Sequence, residues 1–395
     1  MGTLPSGTVR IANIACGADH TLIILERAAS PSDSSRMELW GCGNGSAGQL
    51  GPGMTSVTQV FHPLDLDLGG LGLEDYEPVL VDACWETSYA VLRHLGRDDV
   101  LLSMGADDFG DLGIGGARSR EKQVHVVDLR KHLTQEHTPT GSWCLRVKSI
   151  TTGIHHILVQ LVTSDQDGTP VESFIGWGSS RHGQLGEWTY PTTGRPLAML
   201  LSPQPITLQD QTPTTQISAG TQHTVSLHES GRVSALGSNR KGQIAGLADL
   251  TGVSAVGCTW HGTYSVIRHD EAWSIVSTGF HTRGQLGRRL PADTVSHPPG
   301  DVDFPFSHNT HELVKMACGS EHVLCLFRVT SDAGHPPRSE VWGWGWNEHG
   351  NLGLGTTDDQ TLPIKLWPQE EADGHQPQAV DVWAGCGTSW IVLDS

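Results

Sequence analysis

The chain has 395 residues, with 48 glycines, 13 tryptophans and a formal net charge of −18 from 43 acidic and 25 basic residues. No Lys/Arg cluster offsets that charge, which argues against a surface that tracks nucleic-acid phosphates; an acidic field suits either solubility or basic partners. No apolar run reaches the ~18 residues of a membrane-spanning helix, no charged-then-apolar leader opens the chain, and at this length about 75% of the unfolded surface can be buried, so core size is not limiting.

In chain order, the first recognisable unit is Val9 to Leu25: two apolar runs around the turn Cys16-Gly17-Ala18-Asp19-His20. It returns around Ala83-Cys84, Thr152-Gly153, Ala219-Gly220, Gly257-Cys258, Ala317-Cys318 and Ala384-Gly385. β-Branched and aliphatic residues on both sides of each turn predict a buried hairpin, termed here the inner hairpin. Between these units lies a glycine frame, first as Gly43/Gly48-Gln49-Leu50-Gly51 and then as Gly105/Gly110-Asp111-Leu112-Gly113. It recurs at Gly178/Gly183-Gln184-Leu185-Gly186, Gly237/Gly242-Gln243-Ile244-Ala245, Gly279/Gly284-Gln285-Leu286-Gly287 and Gly345/Gly350-Asn351-Leu352-Gly353. With its apolar flanks this frame predicts an outer hairpin, its glycines set by tight turns with positive φ.

Alternating inner and outer hairpins give four antiparallel strands per unit. The expected architecture is all-β: a seven-bladed β-propeller of four-stranded blades, forming a single domain over residues 1–395. Seven inner hairpins stand against six outer ones, so blade seven is expected to be incomplete because an N-terminal outer hairpin is missing. Polar stretches at 27–37, 163–172, 188–214, 288–310, 329–339 and 367–378 read as loops inserted on a rigid scaffold.

Cys16, Cys84, Cys258, Cys318 and Cys386 fall at or beside one recurring position of the inner hairpin, which makes them small core residues. No C-x-x-C pair and no compact Cys/His set with zinc spacing occurs, so neither a metal site nor a cofactor is expected. Without a disulfide framework or a leader the chain reads as a soluble protein of a reducing compartment, cytoplasmic or nuclear.

Several motifs dissolve in context. Gly43-Asn44-Gly45-Ser46-Ala47-Gly48 matches G-x-G-x-x-G, but no strand-to-helix transition surrounds it. The Gly-x4-Gly spacing lacks the Lys-Ser/Thr of a phosphate loop. His20, His156, His223 and His322 each follow a glycine by three residues; spread over separate blades they cannot share an ion, and they read as structural histidines. No zincin motif, nucleophile elbow or Ser/His/Asp order stands out, so no enzymatic activity is expected.

Departures from the repeat are the candidate partner-binding residues. Trp85-Glu86, Trp260-His261 and Trp390 replace small residues around the inner turns, Glu321 replaces another, and Trp346, Glu348 and His349 occupy an outer turn. In a meander the inner and outer turns emerge on one face, so Trp260, Glu321, Trp346, Glu348, His349 and Trp390 would meet there. Tryptophan beside carboxylate and imidazole suits a binding hot spot; packing between blades is the competing reading, which holds for Trp177 and Trp342.

The units 14–22 and 177–186, Ile-Ala-Cys-Gly-x-x-His-Thr-Leu and Trp-Gly-x4-Gly-Gln-Leu-Gly, resemble the propeller family of the regulator of chromosome condensation. Gly319-Ser320-Glu321-His322, Trp344 to Asn351 and Gly385 to Leu393 resemble the family's Elongator-associated alpha-tubulin-suppressor branch. That resemblance implies a non-enzymatic adaptor binding a small CSL-type zinc/iron electron-donor protein of diphthamide synthesis as a heterodimer. It implies an indirect link to Elongator, tRNA wobble-uridine modification and the diphthamide enzymes, without direct contact to nucleic acid or membrane. Trp260→Ala or Trp390→Ala is then expected to lose about 2 kcal/mol of binding without unfolding. The alternative, a guanine-nucleotide exchange factor or other small-GTPase regulator, would be expected in a Ran-directed form to carry a basic tail, and none is present. An ultraviolet-B receptor of the family would carry Gly-Trp-Arg-His-Thr repeats, which do not occur.

Overall fold

The computed structural model describes residues 4–28, 30, 34–116, 123–133, 143–164, 170–210, 212–270, 272–290, 296–330, 338–369 and 377–394. The chain divides into two compact units, Met1–Thr207 and Leu208–Ser395. Among the described residues helix is confined to short 3-10 turns such as Arg130–His132 and Leu247–Asp249, and no helix is long and apolar enough to cross a membrane.

The first unit holds three four-stranded antiparallel meanders. They are β1–β4 (Thr8–Cys16, His20–Arg27, Arg36–Gly43, Thr58–Pro63), β5–β8 (Glu77–Ala83, Thr87–Arg93, Val100–Gly105, Val124–Val127) and β9–β12 (Cys144–Thr152, His156–Ser164, Pro170–Ser179, Met199–Pro205). The second unit begins with a three-stranded sheet, β13–β15 (Thr214–Ala219, His223–His228, Val233–Gly237). Two four-stranded sheets follow: β16–β19 (Val253–Cys258, Gly262–His269, Ala272–Phe280, Ser296–Asp301) and β20–β23 (His311–Cys318, His322–Val329, Arg338–Gly345, Gln360–Trp367). The hairpin β24–β25 (Ala379–Ala384, Ser389–Leu393) comes last.

The all-β propeller class holds, but seven blades do not: the described residues form six blades, and β24–β25 stops at two strands. The inner-turn motif identifies a hairpin, whereas a blade also needs a third strand laddered onto it. The blade β13–β15 also stays at three strands, the chain passing from its glycine frame into the 3-10 turn Leu247–Asp249. Two of the stretches read as loops carry blade-edge strands, β12 within 188–214 and β19 within 288–310; β19 (Ser-His-Pro-Pro-Gly-Asp) has no apolar run, whereas the run Leu197 to Leu201 that leads into β12 lies between polar, proline-containing flanks.

The second strand of each blade is the core strand. Leu22, Ile24, Tyr89, Leu92, Leu158, Val225, Tyr264 and Leu324 are buried, and successive blades pack face to face within each unit. Backbone bonds link successive inner turns. Ala18 N–H donates to Trp85 O (2.8 Å) and Trp85 N–H to Ile154 O (3.1 Å) in the first unit. In the second, Thr221, Trp260 and Ser320 donate to Trp260, Ser320 and Gly385 at 2.9, 2.6 and 3.0 Å.

The Gly-x-x-His repeat has a steric cause. His20, His223 and His322 fold back over the turn, and a Cβ on Gly17, Gly220 or Gly319 would stand 2.1–2.3 Å from the imidazole Cε1. Each imidazole Nε2 then hydrogen bonds with a hydroxyl of the following repeat: Ser88 (2.7 Å), Thr263 (3.1 Å) and Ser389 (3.0 Å). Burial holds these histidines neutral, pushing their pKa values down to about 4, 3 and 4 respectively. Their recurrence suggested structural histidines; the structure adds that they join one repeat to the next through a side-chain hydroxyl.

Candidate functional site

In all six blades the inner turn is tied to the start of the outer turn. The residue after the first frame glycine donates its N–H to an inner-turn carbonyl: Asn44 to Asp19, Ala106 to Glu86, Ser179 to His155, Ser238 to Gln222, Phe280 to His261 and Trp346 to Glu321, at 2.5–3.0 Å. The glycine makes this approach possible. Gly345 has φ 99°, and a Cβ there would lie 2.4 Å from Glu321 O. Inner and outer turns therefore share one rim of each blade, as the meander argument required.

On the β20–β23 blade that rim is built around two asparagines. Buried Asn347 takes a backbone N–H from Leu352 on its Oδ1 (2.8 Å) and donates through Nδ2 to Thr356 O and Asp358 O (2.9 and 3.1 Å). Asn351 Nδ2 donates to Trp346 O at 2.6 Å. With the turn held from inside, Trp346 is half-buried while Glu348 and His349 are exposed. Trp346 Nε1–H donates to Glu348 Oε2 (3.1 Å), and its ring meets His349 edge-on at 4.9 Å between centroids.

Neighbouring elements complete the site. Arg283, from the outer turn of the β16–β19 blade, lies 3.7 Å from Glu348 and 3.3 Å from Asp359. His349 faces the β24–β25 turn, where a Cβ on Gly387 would come within 3.2 Å of its ring. Beneath the rim His261 Nδ1 stands 2.5 Å from Glu321 Oε1; Glu321 is 7% exposed, and its second oxygen is buried without a partner. The exposed Arg283–Glu348 pair adds little affinity alone and mainly orients the carboxylate.

Of the residues singled out from sequence, His261, Glu321, Trp346, Glu348 and His349 come together here. Trp260, half-buried, joins through its backbone, between Thr221 and Ser320. Trp85 and Glu86 lie in the first unit, where Trp85 is 37% exposed at the turn before β6. Trp390 is not a turn residue. The turn closes as Gly385 N–H to Thr388 O (2.9 Å), which puts Trp390 in β25 opposite Trp383, at the position held elsewhere by Leu22 or Tyr264. Arg283 and Asp359 were missed: both occupy variable positions, and only adjacency between outer turns reveals them. Trp177 and Trp342 are structural. Trp177 Nε1–H bonds Asp111 O (2.7 Å) and Trp342 Nε1–H bonds Glu340 (2.8 Å). Among the described residues no group of three or more His, Cys, Asp or Glu side chains is arranged to hold a metal.

The fold and its joints are those of a β-propeller, and parts of the chain match a known propeller repeat. The model of the regulator of chromosome condensation (RCC1) repeat matches residues 175–227 and 339–392, and a second RCC1 model matches 215–243. The chain is 25% identical over 399 residues to the ultraviolet-B receptor UVR8 of Arabidopsis thaliana, covering 97% of this chain and 76% of that protein. It is likewise 25% identical over 382 residues to the secretion-regulating guanine nucleotide exchange factor of Mus musculus, covering 90% of this chain and 71% of that one. The crystal structure of human WBSCR16 shares the fold, with a TM-score of 0.69 at 18% identity over 98% of this chain and 88% of the other.

Proposed function

We propose that this protein is a non-enzymatic docking propeller. Its rim at Trp346, Glu348 and His349, backed by His261–Glu321, receives a small metal-bearing protein of the CSL zinc type. Through that partner it serves Elongator-dependent wobble-uridine modification and diphthamide formation. The observation that carries the docking part is the outer turn of β20–β23: its asparagines are spent internally, and its aromatic and charged side chains are left outward on a rigid base. Such a preorganised aromatic anchor with a charged surround is what protein recognition uses. The identity of the partner rests on the likeness of Trp344 to Asn351 and of the terminal hairpin to the Elongator-associated branch.

A second reading, regulation of a small GTPase, is favoured by the 25% identity to the mouse exchange factor over 90% of this chain. One experiment separates them. Calorimetric titration with the purified zinc-loaded CSL-type protein is expected to give saturable binding that Trp346→Ala weakens. Accelerated nucleotide release from a small GTPase, together with no heat on titration, would establish the second reading instead.

A further inference from the structure

The outer turn of the β5–β8 blade exposes a phenyl ring where the other blades have none. The residue before the second frame glycine is Ala47, His182, Lys241, Arg283 or His349 elsewhere, and Phe109 here. Phe109 is 38% exposed, yet one buried carboxylate holds it from two sides. Asp111 accepts the Phe109 N–H on Oδ2 at 3.1 Å, and its Oδ1 lies 3.3 Å from His155 Nδ1. The imidazole of His155 in turn packs against the Phe109 ring, 4.2 Å between centroids at an interplanar angle of 33°. Four other frames carry glutamine in place of Asp111. Glutamine has one acceptor oxygen, and Gln184 and Gln285 spend it on the turn N–H at 3.0 and 2.7 Å. The second acceptor of aspartate is what reaches His155. The exposed ring therefore stands on a rigid base, which lowers the entropy lost when something packs on it.

Phe109 is not isolated. Leu201 of β12, 43% exposed, lies against the same turn: a Cβ on Gly110 would stand 3.0 Å from its Cα, and Gly115 N–H donates to its carbonyl at 2.8 Å. On the other side Trp85, 37% exposed, donates its backbone N–H to Ile154 O beside His155. Three segments of the first unit thus bring large apolar side chains to one exposed patch, the kind of surface that marks protein recognition. Two carboxylates flank it. Asp108, exposed, precedes Phe109, and Glu86 follows Trp85; among the described residues neither carboxylate has an ion-pair or hydrogen-bond partner. Those charges choose the occupant. A second copy of this chain, itself at −18, would set the same carboxylates against each other in a symmetric contact. A segment that joins an apolar side chain to a cationic one satisfies both features. We propose that this patch docks a basic segment of another protein, a large apolar side chain seating between Phe109 and Leu201 and a neighbouring Lys or Arg meeting Asp108 and Glu86. The proposal does not rest on the reading of the Trp346 rim.

The probe is a fluorescein-labelled peptide, Gly-Lys-Leu-Phe-Arg-Gly, titrated with the full chain and followed by anisotropy. Gly-Glu-Leu-Phe-Glu-Gly and Gly-Lys-Ser-Ser-Arg-Gly are its controls. Saturable binding of the first is expected, with both controls at least about tenfold weaker. Phe109→Ala should weaken the first peptide at least about tenfold. Asp108→Lys, at an exposed position where no described contact is lost, should weaken it about threefold or more. Trp346→Ala should leave it unchanged. Absence of saturable binding overturns the proposal. So does binding that either first-unit variant leaves intact, which would mean general attraction to an acidic surface, or binding that Trp346→Ala abolishes, which would assign the peptide to the other rim. A dimer seen by sedimentation and dispersed by Phe109→Ala would also overturn it, giving the patch to a second copy.

Discussion

Trp344 rests on Gly287. A Cβ added to Gly287 would stand 2.7 Å from the indole nitrogen, which donates to Gln285 O at 2.8 Å; the hydroxyl of Tyr264 donates to that same carbonyl at 2.6 Å. The first unit repeats the arrangement with Trp177 on Gly113 and with Trp177 and Tyr89 on Asp111 O. The last glycine of the frame thus serves the next blade, leaving room for its tryptophan, and the carbonyl between the frame glycines satisfies two aromatic donors at once.

This contact separates two roles of glycine. Gly287 and Gly353 have nearly the same backbone, φ 62° and 65°, but nothing lies within 4 Å of a Cβ on Gly353. Gly353→Ala should cost about 1 kcal/mol, the strain of a left-handed residue, whereas Gly287→Ala should cost about 3 kcal/mol by adding displacement of Trp344. Urea unfolding of the two variants checks the difference; equal costs would mean that Trp344 moves aside freely.

Acid should loosen the joints between repeats. With folded pKa values near 3 to 4 against an ordinary 6.5, His20, His223 and His322 bind protons in the unfolded chain before they do in the folded one. Stability therefore falls as pH drops from about 6.5 towards 4, by up to about 1.4 kcal/mol per pH unit per histidine. Asp82, pushed up to about 7 by burial, works in the opposite sense, so the informative quantity is a difference between variants. His322→Gln, able to keep a donor towards Ser389, should show a shallower fall in urea midpoint between pH 7 and pH 5 than the parent chain. An identical pH profile would mean that His322 titrates normally in the folded protein.

At the rim, Trp346→Ala should lose about 2 kcal/mol of partner binding with an unchanged melting temperature, as expected also for Trp260→Ala. Trp390→Ala should behave differently, lowering stability by about 1–2 kcal/mol because Trp390 belongs to β25 opposite Trp383. Calorimetry paired with thermal melts separates binding loss from unfolding.

The His261–Glu321 contact should appear as a coupled pair. His261→Ala leaves a buried carboxylate with neither oxygen bonded, at a cost of about 1–3 kcal/mol. Introduced after Glu321→Gln, the same change should cost about 1 kcal/mol less. Additivity in a double-mutant cycle of unfolding free energies would show that the 2.5 Å contact contributes nothing.

Much of this molecule was legible without coordinates, because its information is local. Gly-x-x-His is a short-range constraint: His20 folds onto Gly17 within one turn, so the motif announces both the turn and the structural role of the histidine. The glycine frame likewise closes within its own outer turn, which is why the hairpins, the all-β class and the shared rim followed from spacing alone. What sequence could not decide depends on neighbours distant along the chain. Whether β25 receives a third strand, whether Trp390 lies in a turn or a strand, and whether Arg283 reaches Glu348 are all matters of register between separate elements. A repeat motif specifies its own hairpin; only the tertiary structure settles what stands across from it, because cross-strand and face-to-face packing join residues whose separation in sequence carries no period of its own.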